Sequence, residues 1–293
     1  LNYRLREVYV NKLLFIDSGS VGEARARLER AAVITGPSWL VSAAMLTDAD
    51  LEGAAFLVLG GDLAGESLSV LLTAIAPLAV KLAGHPYSLY TTRAVPESAI
   101  DEARRSLAVL LGTDAGLVVD LSADSDAGAL ALRAFRDSRA IAPLPPGETR
   151  TRIDAFLRSH KTCALATVSA DAIPRATPIE YLWKDDSFFF FSEGGLKFCG
   201  LSEGAAVSLC VYDEFSSMSL VRGLQVRGHV RRLAAGTGEC AAAFAARGVD
   251  PAVLAKHRLT LNVFRVEPEL FEFLDATLRS GNVDTRQVLA IQP

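Results

Sequence analysis

Eleven residues, Ile141 to Thr151 (IAPLPPGETRT), divide this chain into halves with different hydrophobic rhythms. Ahead of them, short apolar runs alternate with stretches of helical period. Behind them, apolar runs follow one another with little but turn signals between. Three prolines and a glycine in the dividing stretch mark an extended, semi-rigid spacer. The sequence therefore predicts two domains, 1–140 and 152–293, joined by a linker over 141–151. A chain of 293 residues, half of them hydrophobic, is long enough for both halves to bury a core.

In the first half Leu13–Ile16 reads as a buried strand, followed by Asp17-Ser18-Gly19-Ser20 and the helix-like VGEARARLERAA. Ala31–Ile34 and Trp39–Val41 offer a second extended piece, and Ala54–Leu59 runs into Gly60-Gly61 as a third. Glu66–Ala83 reads as one apolar helix closed by Gly84. Tyr87–Tyr90 is a fourth strand. A helix from Pro96 carries Ile100, Ala103, Leu107 and Leu111 at helical spacing as far as Gly112. Leu117–Val119 and a helix over Ala127–Arg136 complete the half. Strands alternating with helices imply a parallel sheet covered on both faces. The run resembles a flavodoxin-like doubly wound fold of strand order 2-1-3-4-5, whose ligands sit beyond the strand C-termini. The loop there is Asp17 to Gly22, and its leading Asp17 would repel phosphate unless the carboxylate pointed away. Aromatic residues able to sandwich a flavin ring are scarce in the later loops, so a degenerate, structural domain is the expectation.

In the second half, Arg152–Leu157 begins an amphipathic helix, and Asp186–Phe191 and Val207–Tyr212 fit the inside of a small barrel. Glu239–Arg247 is an Ala-rich helix, and Asp250-Pro251 opens a second one reaching His257. Leu259–Val266 and Glu269–Leu274 read as paired strands around Pro268. The whole predicts a six- or seven-stranded antiparallel barrel. The tail Ser280–Pro293 is less patterned and could wrap onto a neighbouring subunit.

The most informative stretch is Cys163 to Val230. Ser192-Glu193-Gly194-Gly195-Leu196-Lys197 puts a hydroxyl, two glycines and an ammonium at a strand end, where backbone N–H groups and a cation can receive an anion such as phosphate. The bland alternative is a solvated lysine in a hairpin turn. Arg175 and Thr177 lie on one side of the preceding strand, because strand side chains alternate. Arg222, Arg227, Arg231 and Arg232 make a basic run, either a solvated strand face or a recruiter of an anionic substrate.

This stretch resembles the pyridoxamine 5′-phosphate oxidase-like FMN-binding split barrels. The resemblance covers roughly the second half of the chain and implies an antiparallel split barrel behind the α/β domain, an FMN cofactor and a homodimer with the flavin between subunits. Carried over residue by residue, it implies cofactor contacts at Arg175, Ala176, Thr177, Pro178, Phe191, Ser192 and Lys197, with Gln225 of Gln225-Val226-Arg227-Gly228 at the flavin ring. The chain departs from the true oxidases at Glu180 and Leu196, both basic there, and its Ser-to-Lys spacing is one residue shorter. These departures point to an FMN-dependent oxidoreductase using NAD(P)H or a similar donor, rather than one acting on pyridoxamine phosphate. The competing classes are a non-catalytic flavin, haem or deazaflavin binder and an electron-transfer flavoprotein. A haem binder would need His229 or His257 as axial ligand.

The remaining composition excludes more than it assigns. A net charge of −4 argues against nucleic acid or an anionic membrane as partner. The four histidines have no metal-ligand spacing, so no metal is expected. The four cysteines lack CxxC spacing and read as reduced, buried thiols of a cytoplasmic protein. The longest apolar stretch, Leu68–Ala83, is interrupted by Pro77 and Lys81 and is too short to span a bilayer.

Overall fold

The computed structural model describes residues 12–34, 38–116, 118–121, 130, 134, 136 and 139–291. The chain divides into two compact units, Leu1–Ile141 and Ala142–Pro293.

The first unit is a parallel five-stranded sheet of β1 (Lys12–Asp17), β2 (Ser38–Ser42), β3 (Ala54–Gly61), β4 (Tyr87–Thr91) and β5 (Val118–Asp120), in the order 2-1-3-4-5. Its central strands carry long apolar runs because both faces are covered, whereas the edge strand β2 leaves Trp39 exposed. Leu13 and Phe15 pack with Leu28 and Ala31 of α1 (Gly22–Ile34) in one core. Leu14 and Ile16 pack on the other face with Leu68 and Leu71 of α2 (Glu66–Ile75). Leu107 and Leu111 of α4 (Glu97–Leu111) join this second core. The short α3 (Ala79–Leu82) lies between α2 and α4 in sequence.

Two expectations for this unit change. Ala31–Ile34 is the end of α1, not a strand, because Leu28, Ala31 and Ala32 form one buried helical stripe. The helix over 66–83 is broken by the 3₁₀ turn Ala76–Leu78, where Pro77 has no N–H to continue the ladder. Of the helix expected over 127–136, Leu130, Ala134 and Arg136 are described and the other residues lie outside the described residues, as does Leu117. Leu130 and Ala134 are fully buried in the α1-side core.

The second unit opens with α5 (Pro146–Ser159), which starts inside the stretch read as linker, six residues before the expected helix at Arg152. Pro146 at the first helical position has the φ a helix needs and no N–H to leave unpaired. The strands are β6 (Thr162–Val168), β7 (Pro174–Glu180), β8 (Leu182–Lys184), β9 (Ser187–Ser192), β10 (Ala206–Tyr212), β11 (Arg222–Leu233), β12 (Asn262–Asp275) and β13 (Arg286–Ala290). They pair antiparallel in the order 7-6-10-11-12-9-8, with β13 also on β12, as a curled split barrel. Two short helices, α6 (Gly238–Arg247) and α7 (Pro251–Lys256), lie between β11 and β12 in sequence.

The four-phenylalanine run in β9 is buried on both faces. Phe188 and Phe190 enter the main core, where Phe190 stacks on Phe264 at 5.0 Å. Phe189 and Phe191 face the other way, where Phe191 meets Phe244 of α6 at 5.7 Å.

The expected hairpin around Pro268 is instead the single strand β12, paired along its length with β11. The register shifts between Arg227 and Gly228, and that bulge sets Pro268 opposite Gly228. Eight strands are present among the described residues rather than six or seven. The eighth is β13, from the tail expected to be less patterned, and it pairs with β12 of its own chain. Among the described residues no helix is long and apolar enough to cross a membrane, and no group of three or more His, Cys, Asp or Glu residues is arranged to hold a metal.

Candidate functional site

The candidate site is built where β7 and β9 approach the turn after β9. In the β6–β7 ladder Arg175 stands opposite Thr167, Thr177 opposite Leu165 and Pro178 opposite Ala164. Thr167 and Leu165 are buried, so Arg175 and Thr177 lie on the core-facing side of β7, while Ala176 and Pro178 face outward. The 3₁₀ turn Leu196–Gly200 is seated on the end of β6. A Cβ on Gly200 would fall 2.7 Å from the Val168 carbonyl and 2.9 Å from Thr167 Cβ, so only glycine permits that seat. The result is a cleft of about 150 Å³ lined by Arg175, Asp171, Thr167, Leu196, Cys199 and Gly200, among others, with Lys197 outside its wall.

Lys197 belongs to the same turn. Its Nζ donates to the Gly194 carbonyl at 2.5 Å, and Ser192 Oγ donates to that carbonyl at 3.1 Å. Gly195 has φ +109° and ψ 168°, a conformation effectively reserved for glycine. A Cβ there would lie 3.3 Å from Lys197 Nζ, the mobile end of that side chain, so it is the backbone conformation that calls for glycine. Asn262 Nδ2 holds the approach to the turn, donating to the carbonyls of Ser192 at 3.3 Å and Glu193 at 3.2 Å. Sequence reasoning missed Asn262. Its position as first residue of β12, opposite Ser192, is a matter of strand pairing that no local motif announces.

The surrounding charges are mostly paired. Arg222 binds Asp213 at 2.7 Å, Arg227 binds Glu269, and Arg231 lies 3.8–3.9 Å from Glu267 and Glu239. The basic run is therefore largely neutralised within the chain. Among the described residues Arg175 and Lys197 have no carboxylate partner. Glu180 pairs with Arg247 at the C-terminal end of α6. It is five residues along β7 from Arg175, roughly 17 Å at about 3.4 Å per residue.

The structure does not bring every predicted residue together within one chain. Gln225 is exposed on β11 opposite Cys210, which stands opposite Ala164, itself opposite Pro178. Directly paired residues share a face, so Gln225 lies on the side of Ala176 and Pro178, away from Arg175 and Thr177. The Phe191 ring packs on Phe244 rather than on the cleft. Gln287, in the tail read as less patterned, is buried within its own chain, where it accepts from Leu144 N just ahead of α5 at 2.9 Å.

The histidines divide clearly. Both ring nitrogens of His229 are engaged, Nδ1 with the Gly204 carbonyl at 3.2 Å and Nε2 with Glu269 at 3.0 Å. These bonds, the Gly204 carbonyl foremost, raise its pKa above the ordinary imidazole value. His257 is exposed at the end of α7. The four cysteines are free thiols. Cys163 and Cys240 are buried as expected, whereas Cys199 is exposed in the cleft wall. Burial, then the neighbouring Cys210, pushes the Cys163 thiol up to about 12, so it stays protonated.

Residues 149–275 match the sequence model of the family described as pyridoxamine 5′-phosphate oxidase. None of the curated proteins compared with the chain matches it. Among solved structures, the haem storage protein HutZ of Vibrio cholerae is 18% identical, with 41% of this chain and 89% of that one covered and a TM-score of 0.36. An FAD binding protein of Mycobacterium smegmatis is 16% identical over 48% of this chain and 96% of that one, with a TM-score of 0.35. ChuZ of Campylobacter jejuni is 12% identical over 62% and 66%, with a TM-score of 0.37. Every residue of the candidate site, from Arg175 to Gln225, falls inside the segment that matches the pyridoxamine 5′-phosphate oxidase family model.

Proposed function

We propose that the C-terminal unit binds FMN non-covalently and that the protein is an FMN-dependent oxidoreductase drawing electrons from a reduced nicotinamide or similar donor. The observation that carries this reading is the pair of cations without carboxylate partners, Arg175 and Lys197. Arg175 lines the cleft and Lys197 belongs to the turn that forms its wall, whereas Arg222, Arg227 and Arg247 of the same unit are paired. A phosphate dianion is the partner such an arrangement fits, received by the Lys197 ammonium, the Ser192 hydroxyl and the Arg175 guanidinium. The turn fits the group sterically as well, since Gly195 carries no Cβ to crowd Lys197. When bound, the flavin supplies the redox chemistry, accepting a hydride and passing its electrons on. The chain's own task is to hold the phosphate and orient the ring.

Two features favour a second copy of the chain as part of the site. A 150 Å³ cleft is well below the ~300–1,000 Å³ that enclose small-molecule ligands, so a flavin needs further walls. Gln225 faces away from Arg175, so a Gln225 that reaches the ring would have to come from another chain. A homodimer satisfies both, and it is the commonest oligomeric form.

Pyridoxamine phosphate fits less well as substrate. Leu196, exposed in the cleft wall, offers no charge to a second phosphate. Glu180 is too far along β7 to bear on that choice. The haem alternative loses His229, whose two nitrogens already have partners.

The test is equilibrium titration with FMN. Lys197→Ala combined with Ser192→Ala removes two charge-assisted contacts and lowers affinity by at least about ten- to a hundredfold, the scale of one such bond at about 1.5–3 kcal/mol. Unchanged affinity would remove the assignment. Anaerobic mixing with NADH or NADPH then bleaches the bound flavin, whereas rapid reduction by pyridoxamine phosphate would overturn the choice of donor.

A further inference from the structure

In a parallel sheet of order 2-1-3-4-5 the strand order reverses between β1 and β3, and the crevice beyond their C-terminal ends is where such folds take phosphate-bearing ligands. In this chain that crevice is filled by its own atoms. Asp17, the last residue of β1, is fully buried. Its carboxylate accepts from Ser20 N at 2.9 Å, Ser20 Oγ at 2.5 Å and the Tyr90 hydroxyl at 3.0 Å. The Arg25 guanidinium of α1 lies 3.5 Å away. One backbone amide, two hydroxyls and a guanidinium are the donors a phosphate would use, and here they surround a carboxylate.

The neighbouring space is closed as well. Ser18 N donates to the Gly60 carbonyl at 2.9 Å, and Ser18 Oγ lies 2.5 Å from Ser67 Oγ of α2. A Cβ on Gly61 would fall 1.9 Å from Ser18 Oγ, and one on Gly60 would fall 2.1 Å from the Tyr90 carbonyl. The glycine pair ending β3 thus admits Ser18 and Tyr90 into the crevice. Burial, and then the Asp17 charge, holds the Tyr90 phenol protonated, well above its ordinary range, so it remains a donor.

We infer that Asp17 is an internal substitute for a ligand anion, which closes the switch point of the N-terminal unit to phosphate-bearing cofactors. The inference is independent of the flavin reading for the C-terminal unit. Where that reading holds, it adds that each chain carries one flavin rather than two, and that the N-terminal unit is no second redox centre.

The test follows the Ser20 amide resonance of the full chain during titration with inorganic phosphate, so that any response of the C-terminal site is read separately. In the wild-type protein the Ser20 amide does not move, and a saturable shift would overturn the inference whatever the variants do. In Asp17→Ser the carboxylate is gone and its donors remain. Phosphate or acetate at millimolar concentration then shifts the Ser20 amide and raises the thermal midpoint, an anion rescue absent from wild type. An Asp17→Ser protein that folds and responds to neither anion would also overturn it.

Discussion

Leu144 N donates to Gln287 Oε1 at 2.9 Å, joining the first residues of the C-terminal unit to its last strand across 143 positions of sequence. Thr149 Oγ1 approaches the same oxygen at 3.5 Å, and Gln287 Nε2 donates to the Asp284 carbonyl. Gln287 is 1% exposed. Gln287→Leu keeps most of the volume but leaves Leu144 N and the Asp284 carbonyl without this partner. An unsatisfied buried polar group costs about 1–3 kcal/mol. Denaturant unfolding followed by the tryptophan signal of Trp183 should show a loss of that order, and wild-type stability would mean that the join does not contribute.

The His229–Glu269 pair gives a pH dependence with a defined sign. His229 has a raised pKa, from its bond to the Gly204 carbonyl first and from Glu269 second. Its contribution to stability is therefore complete below the unfolded value near 6.5 and is lost as pH rises through the higher folded value. Glu269 has a lowered pKa, chiefly through its hydrogen bond from Arg227. Its contribution is present above the unfolded value near 4.5 and is lost as pH falls through the folded one. Both side chains are well exposed, so solvent screening keeps the effect small. In Glu269→Gln the His229 imidazole should titrate lower by NMR; an unmoved titration would show that the contact is not made in solution.

Gly228 sits at the bulge where β11 accommodates Pro268. A Cβ at this position would lie 2.3 Å from the Glu267 carbonyl oxygen and 3.0 Å from Pro268 Cα, both backbone atoms that cannot swing aside. Gly228→Ala should therefore destabilise the C-terminal unit by at least the ~1–3 kcal/mol typical of overpacking. Thermal unfolding checks it, and a midpoint equal to wild type would mean that the bulge relaxes freely.

The same bulge marks the limit of what the chain announces about itself. Pro268 read as a hairpin corner because a proline removes a ladder donor, and only the partner strand reveals that one bulge absorbs it. The β1, β3 and β4 strands were legible from apolar runs ending in glycine or turn residues, and the parallel sheet from their alternation with helices, whereas the 2-1-3-4-5 order came only with the resemblance to a flavodoxin-like fold. Ala31–Ile34 misled because four apolar residues fit a strand or the buried stripe of a helix equally well. At the site, Ser192, the glycine pair and Lys197 were legible as a local motif. Asn262 and the pairing of Glu180 with Arg247 were not, because each joins residues about 70 positions apart.

A site shared between two chains makes a prediction that neither chain alone can meet. If Lys197 of one chain and Gln225 of another serve the same flavin, Lys197→Ala and Gln225→Ala homodimers each have two damaged sites. Mixed and reassociated, the heterodimer regains one site with both residues intact. Flavin-dependent activity of the mixture should then exceed that of either parent, reaching up to about half of wild type per heterodimer. A mixture no better than its parents would mean that both residues act within one chain or that Gln225 is idle. Light scattering that finds only a 31.2 kDa species with flavin bound would remove the dimer altogether.

The two glycines of the turn after β9 should behave differently despite being adjacent. Gly194 has no positive φ, and a Cβ there would meet nothing within 4 Å, so Gly194→Ala should fold and bind FMN like wild type. Gly195 combines φ +109° with ψ 168°, which an L-residue adopts only at a cost of about 1–3 kcal/mol. Its Cβ would also press on Lys197 Nζ at 3.3 Å. Gly195→Ala should therefore relax the turn and displace the ammonium from the place proposed for the phosphate. The expected result is a rise in the FMN dissociation constant of roughly ten- to a hundredfold, the scale of one lost charge-assisted bond, with the core stability of the unit little changed. Gly195 lies outside the core, but Phe198 of the same turn meets Phe264 at 5.9 Å, so circular dichroism melting is run beside the flavin titration to separate loss of binding from loss of packing. Equal affinities for the two alanine variants would show that the conformation of Gly195 does not position Lys197.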